Sequence, residues 1–292
     1  MAAVGSTATV REALSAAVDA IAAAGCETAQ LDAELLLGEA TGWERARFAA
    51  EPELRLPVGA SRGFAEMVRR RVRREPVAYI VGRKGFRRID VSVDWRVLIP
   101  RPETELLVEV ALELAPGVAL DVGTGSGAVA LALADELPEA NLLAVDISMD
   151  ALRVAQSNVD RLAFGDRVAV VERGVSSLPA ADPEGRSFDL LVANLPYVSD
   201  AEWEALAPEI REYEPREALV AGPSGLEAIE ALIAALAASR ARPPAVALEV
   251  GAGQAVRVRE LLREAGYGEV ESLRDLARIE RVVIARRNSG EA

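Results

Sequence analysis

Residues 120–138 read "LDVGTGSGAVALALADELP": the end of an apolar strand, three glycines within five positions, then an apolar run of helical length. Glycine allows a tight turn and lets a ligand lie against backbone at a helix N-terminus. A strand, a glycine loop and a helix in that order open a parallel α/β sheet with a ligand site at its edge. "GTGSGA" also satisfies the loose dinucleotide-binding pattern, so the loop alone does not separate a dehydrogenase from a methyltransferase.

Downstream, apolar strands and helices alternate. The strands expected are 118–122, 141–146, 167–171, 188–194, 245–250, 268–273 and 281–286, with helices between the first five. Apolar strands joined by helices predict a doubly wound, mostly parallel seven-stranded sheet covered on both faces. Upstream, residues 8 to about 74 show only helical spacing, in "VREALSAAVDAIAAA", "AQLDAELLLGEAT" and "SRGFAEMVRRRV". The alternation in "AYIVGRKGFRRIDVSVDWRVLIP" around "GRKG" predicts a β-hairpin. The domains expected are therefore a helical bundle over 1–75, a hairpin connector over 76–100 and an α/β domain over 101–292.

Composition removes several functions. The chain of 292 residues contains no histidine, which excludes Ser-His-Asp hydrolysis and His-ligated zinc, and no metal site is expected. Cys26 is the single cysteine and reads as a small core or helix-end residue. The first 25 residues lack a basic leader and carry Glu12 and Asp19, and the longest apolar runs are broken by Asp and Gly. A signal peptide and a membrane span are both unexpected, and a cytoplasmic location follows. A net charge of −13 opposes a broad nucleic-acid surface. "RRRVRREP" and "GRKGFRR" run against that balance, as a solvated helix face or as a contact for an acidic partner or RNA.

Two carboxylates flank the glycine loop. Asp146 ends the second strand of the alternating series, 19 residues after Gly127, where it can accept both hydroxyls of a ribose or, alternatively, cap the next helix. Asp121 precedes the first glycine and suits the cationic amino acid end of S-adenosylmethionine better than a pyrophosphate, or else holds the loop amides. The fourth strand of the series runs into "NLPY", residues 194–197. There Asn194 can accept one hydrogen of a planar NH2 group, the Leu195 carbonyl the second, and Tyr197 can stack on that group. Two acceptors on one nitrogen stabilise the positive charge that grows there when it attacks a methyl on sulfur, with no general base needed first.

The motifs "LDAELLL", "PVAYIVGRKGF", "VLIPRPETELLVE", "LDVGTGSGAVALALA", "AVDIS", "DLLVANLPYV", "YEPREALVAGPSGLEAI" and "LEVGAGQ" together resemble the HemK/PrmC family over nearly the whole length. Members of that family are class I methyltransferases that use S-adenosylmethionine, giving S-adenosylhomocysteine, to methylate the glutamine N5 of the GGQ motif in class-1 peptide chain release factors. The resemblance implies that Gly123, Thr124, Gly125, Ser126 and Gly127 hold the methionine part of the cofactor and Asp146 its ribose. It assigns the substrate amide to Asn194, Leu195, Pro196 and Tyr197. It places Arg101, Pro102 and Glu103 beside the cofactor and makes the helical domain a docking surface for the release factor. Separately, Lys84 as the one lysine against many Arg and Ala points to a GC-rich bacterial genome, and a monomer is expected.

Two positions depart from the family pattern. Leu195 stands where the family usually has Pro in its Asn-Pro-Pro-Tyr motif, and Gly85-Phe86 where it usually has Glu-Phe. "NLPY" is the tetrapeptide of rRNA adenine dimethylases, which keeps a flipped adenine amino group of RNA or DNA open as the substrate. A non-catalytic adaptor that binds the cofactor is a third reading. No acidic residue in "ERGVSSLP" presents itself to read the cofactor adenine.

Overall fold

The computed structural model describes residues 8–178 and 180–288, and the chain forms two units, Met1–Gly82 with Ala207–Tyr213, and Arg83–Leu206 with Glu214–Ala292. The first is helical: α1 (Val10–Ala23), α2 (Ala29–Thr41), α3 (Arg45–Ala50), α4 (Val58–Val72) and α5 (Val77–Val81). Thr9 and Glu12 close a capping box on α1. Ile21, Leu36 and Leu37 are fully buried in this unit's core, and Cys26 joins them just beyond the end of α1.

The second unit begins with the hairpin β1 (Arg83–Phe86) and β2 (Ile89–Ser92), followed by α6 (Glu105–Leu114), β3 (Val118–Val122), α7 (Ala128–Glu136), β4 (Asn141–Asp146), α8 (Met149–Leu162), β5 (Val168–Glu172), β6 (Leu190–Ala193), β7 (Val198–Ser199) and α9 (Asp200–Trp203). The next helix, α10 (Pro208–Tyr213), belongs to the helical unit. Then come β8 (Val220–Gly222), α11 (Glu227–Ala238), β9 (Ala245–Glu249), α12 (Ala255–Glu264), β10 (Glu269–Arg274) and β11 (Glu280–Arg286).

The seven-stranded sheet has the order β10-β11-β9-β6-β3-β4-β5. Strands β9, β6, β3, β4 and β5 are parallel, and β11 pairs antiparallel with both β9 and β10. Every residue of β3, β6 and β9 is buried, which is why these segments read as apolar runs rather than alternating ones. The chain builds outward from β3 through β4 to β5, then returns to β6 on the other side. The topological switch therefore lies between β3 and β6, and the crevice at their carboxyl ends is where such sheets bind ligands.

Three expectations are corrected. The hairpin does not turn at "GRKG": Gly82 ends α5 in a left-handed conformation, and the chain reverses at Arg87-Arg88. Arg87 adopts a φ of 53° there, its amide held by Glu105 and its guanidinium by Glu109 and Glu136. The part of the alternating run over Val77–Val81 is helical because Pro76 and Gly82 bound it at either end. Third, much of the arginine run is neither a solvated face nor free for RNA. Arg71 is buried between Asp32 at 2.7 Å and Glu209 of α10 at 3.0 Å, Arg74 meets Glu209 at 2.6 Å, and Arg70 pairs with Glu75. No described helix is long and apolar enough to cross a membrane.

Candidate active site

Parallel register lines up the functional residues. The last pairs are Val122 with Val145, Val122 with Ala193, and Ala193 with Leu248. One residue further along these strands stand Asp146, Gly123, Asn194 and Glu249. The four form a row at the carboxyl edge of β4, β3, β6 and β9.

Gly123, Gly125 and Gly127 all have positive φ. The amides of Gly123 and Thr124 are anchored on the Val145 carbonyl at 2.8 and 3.1 Å. Gly123 cannot be replaced freely, because an added Cβ would stand 2.9 Å from Leu195 Cδ2. Gly125, at a φ of +56°, has only open space beyond its Cα. The loop thus presents bare backbone on one side while its neighbours Thr124 and Ser126 are buried. Asn158 of α8, fully buried, pins the loop from behind by donating to the Ser126 carbonyl at 2.9 Å, and it also exchanges hydrogen bonds with Ser92 of β2.

Asp146 accepts from the Gly125 amide at 3.0 Å and the Ser148 amide at 2.9 Å, while the Ser148 hydroxyl caps α8. Asp121 is turned inward: it is 1% exposed and accepts from the Thr124 hydroxyl at 2.6 Å and the Ala130 amide at 3.3 Å. Burial pushes its carboxyl up to about 6, opposed by those two hydrogen bonds and reinforced slightly by the charge of Asp146. Of the two roles open to it in the sequence, Asp121 makes the contacts of the one that holds the loop.

A cavity of about 270 Å³ opens beside this row. Gly123, Gly125, Asp146 and Ser148 form its loop wall, and Asn194, Leu195 and Pro196 its inner wall. Val122, Ile147, Val175 and Leu98 supply apolar surface, and Arg96, Arg173 and Glu217 supply charge. Exposed glycine backbone, a carboxylate and apolar walls fit a molecule with an amino acid end, a ribose and a planar base. After β5 the wall is Arg173-Gly174-Val175, without an acid to read that base.

The "NLPY" loop is held from several sides. Asn194 Nδ2 donates to the Thr104 hydroxyl at 3.0 Å, so its Oδ1 is the atom left to accept from a ligand. Thr104 occupies the N-cap position of α6, yet its side chain makes no cap. The Tyr197 hydroxyl donates to Glu249 Oε1 at 3.2 Å, and the Tyr197 carbonyl accepts from Gln254 Nε2 at 2.9 Å. Gln254 in turn ties the Gly251 amide and the Gly225 carbonyl. Gly225 lies so close that a Cβ there would sit 2.5 Å from the Tyr197 carbonyl oxygen. "GPSGLEAI" and "LEVGAGQ" are thus the clamps of "NLPY". Leu195, 7% exposed, packs into the sheet core beneath Gly123, which gives its side chain a place that a proline would leave unfilled.

Glu249 is fully buried, and burial pushes its carboxyl up to about 7. The Thr104 side chain nearby, the charge of Arg281 and the Tyr197 hydroxyl draw it down, and Glu103 pushes it up. Its Oε2 makes no hydrogen bond of its own. Tyr197 is shifted upward by burial and by the Glu249 charge.

Residues 12–82 match the PrmC N-terminal domain family and residues 119–213 a methyltransferase domain. The release factor glutamine methyltransferase of Caulobacter vibrioides is 37% identical over 290 residues, covering 98% of this chain and 99% of that protein. That of Moorella thermoacetica is 40% identical over 285 residues, covering 96% and 99%. The chain belongs to the release factor glutamine methyltransferase family. The relative from Chlorobaculum tepidum adds 40% identity over 262 residues, covering 86% and 88%. Among solved structures, the hMettl16 catalytic domain in complex with MAT2A 3'UTR hairpin 1 shares the fold, with a TM-score of 0.56 at 17% identity over 69% of this chain and 76% of that chain.

In this member of the release factor glutamine methyltransferases, Gly123, Gly125, Asp146, Asn194, Leu195 and Pro196 come together on one cavity, and Asp121, Thr124, Ser126, Gly127 and Tyr197 are not among the residues that line it. Arg101, Pro102 and Glu103 do not line it. Arg101 is paired with Glu214, a buried carboxylate that also accepts from the Ile99 amide at 3.1 Å. That pairing fixes the start of the segment whose Pro215, Glu217 and Ala218 close the cavity. Sequence reasoning passed over Thr104, Asn158 and Glu249. The one available signal was Glu249, a charge at the end of an otherwise apolar strand.

Proposed function

We propose that the protein transfers a methyl group from S-adenosylmethionine to the side-chain amide nitrogen of the glutamine in the GGQ motif of class-1 peptide chain release factors. The observation that carries the reading is Asn194, held through Nδ2 by Thr104 at the edge of the glycine-loop cavity, in a member of the release factor glutamine methyltransferase family.

S-adenosylmethionine, when bound, supplies an electrophilic methyl on a sulfonium. The loop Gly123–Gly127 and Asp146 would hold it, and the residues of this chain do the rest. Asn194 Oδ1 accepts one hydrogen of the substrate amide and the Leu195 carbonyl the other, so the nitrogen is presented with its remaining electron density turned to the cavity. The same two acceptors offset the positive charge that develops on that nitrogen. Pro196 keeps Leu195 extended, which holds the two acceptors at a fixed spacing. Tyr197 stacks on the amide and excludes water. The proton leaves after the methyl has moved, in keeping with a chain that has no histidine. The helical domain, 1–75 by the sequence pattern, would dock the release factor, and a cytoplasmic, monomeric enzyme fits that partner.

The test is label transfer from methyl-labelled S-adenosylmethionine to a bacterial class-1 release factor, to its GGQ Gln→Ala variant and to rRNA. Label in the wild-type factor alone supports the reading. Label in rRNA alone would replace it with the nucleic-acid reading that "NLPY" suggests, and cofactor binding without transfer would point to an adaptor.

A further inference from the structure

We propose that this enzyme leaves the exocyclic amino group of its cofactor's adenine, N6, without a hydrogen-bond acceptor, and that Val175 makes the site tolerant of methyl groups on that nitrogen. The inference goes beyond the transfer reading and rests only on S-adenosylmethionine as the cofactor.

The placement of the base follows from the order of the strands. Parallel β3, β4 and β5 are consecutive neighbours in the sheet. The glycine loop after β3 would take the methionine part and Asp146 at the end of β4 the ribose, so the base falls beyond β4, against the segment that leaves β5. That segment is Arg173-Gly174-Val175, and all three residues line the cavity. The Arg173 amide ties it to the end of β4 by donating to the Asp146 carbonyl at 2.9 Å.

An amino group needs acceptors, and the side chains of this wall offer none. A guanidinium has only hydrogens to give, and a valine side chain neither donates nor accepts. The Gly174 carbonyl already accepts from the Ser177 amide at 3.0 Å and the Ser177 hydroxyl at 3.3 Å, and the Glu172 carbonyl from Arg173 Nη1 at 2.8 Å. Among the described residues lining the cavity, the carboxylates are Asp146 and Glu217. Asp146 is engaged by the Gly125 and Ser148 amides at the ribose position, and Glu217 is exposed, so water competes for it.

The surroundings also leave room for substituents. Val175 is half-buried and borders a second cavity of about 250 Å³, with Leu120, Phe188, Leu191 and Leu236 among its walls. A side chain that borders two cavities lacks the close packing on all sides that would resist a methyl group pressed against it.

Calorimetry on the full chain would measure Kd for S-adenosylhomocysteine and for its N6,N6-dimethyl analogue, with wild type, Val175→Asp and Val175→Asn. The analogue has lost both N6 hydrogens. A site that used them would be left with an unpaired acceptor and would reject the analogue by about 100-fold or more. Wild type should instead bind the two compounds within about fivefold of each other, because the added methyls meet apolar surface. Val175→Asp supplies a charged acceptor and should widen the ratio of the two Kd values by about 10-fold or more; Val175→Asn, without the charge, should widen it less. Rejection of the analogue by wild type would overturn the inference and leave Glu217 as the carboxylate that reads the base. An unchanged ratio in variants that melt as wild type does would place the base away from Val175 and overturn it equally. If neither variant folds, the two wild-type Kd values decide alone. In parallel, N6,N6-dimethyl S-adenosylmethionine should methylate the release factor. Transfer from neither cofactor, with both compounds bound as expected, would defeat the proposed function and leave the inference standing. Binding of neither compound would defeat both.

Discussion

Replacing Glu249 by glutamine should change how stability depends on pH, independently of any effect on turnover. The carboxyl has an ordinary value of 4.5 and is pushed up to about 7 in the folded protein. Between those values the folded chain binds a proton that the unfolded chain has released. The sign is therefore negative: the contribution is fully present below about pH 4.5 and is lost as pH rises through about 7. A gap of about 2.5 units, at about 1.4 kcal/mol each, corresponds to roughly 3 kcal/mol. Urea unfolding of wild type and Glu249→Gln at pH values from 4.5 to 8 would measure it. The difference between the two proteins should move by roughly 3 kcal/mol in favour of the variant as pH increases. Any constant offset from the altered hydrogen bonds cancels in that comparison. So does the slope from Asp121, pushed up to about 6 in both proteins. Parallel profiles would refute the reasoning, since they would mean that Glu249 ionises in the fold as it does in the unfolded chain.

Asp146→Ala removes the acceptor for the Gly125 and Ser148 amides as well as a carboxylate from the cavity wall. It should weaken S-adenosylmethionine binding by about 1–3 kcal/mol, and a wild-type Kd by calorimetry would contradict its place in the site. Gly225→Ala forces a side chain onto a left-handed backbone at φ +77° and against the Tyr197 carbonyl. A loss of at least about 1–2 kcal/mol in stability with reduced kcat is expected, and an unchanged melting temperature and kcat would show that the clamp yields freely. Arg71→Ala leaves Asp32 and Glu209 without their shared buried partner and should cost about 3–5 kcal/mol in thermal unfolding. A loss below about 1 kcal/mol would mean that water replaces the guanidinium.

Much of this architecture is legible in the sequence because period and composition encode it locally. Val118–Val122, Asn141–Asp146 and the glycine loop follow from apolar runs punctuated by glycine, and "NLPY" announces itself by placing an amide, a proline and a tyrosine at a strand end. What escapes is set by register and by long-range pairing. Thr104 looks like an ordinary helix cap until β6 brings Asn194 to it across 90 positions of sequence. Glu249 looks like the polar end of a strand until its neighbour β6 places Tyr197 over it. Arg71 and Arg74 looked available to an outside partner because Glu209, which neutralises them, is 135 or more residues away. Gly82 was read into a hairpin because a helix C-cap and a hairpin turn ask for the same left-handed residue.

The membership of α10 in the helical unit bears on how this protein can be divided. A deletion ending at Gly82 would remove α1–α5 but leave behind the 207–213 segment, with Glu209 stripped of both arginines and Tyr213 of the Arg73 carbonyl that its hydroxyl meets. That orphaned stretch sits between "NLPY" and Glu214, so the damage would reach the cavity wall by way of the backbone. Anyone grafting a different N-terminal module onto this catalytic unit must therefore transplant two separate pieces of chain, or redesign the second to stand alone.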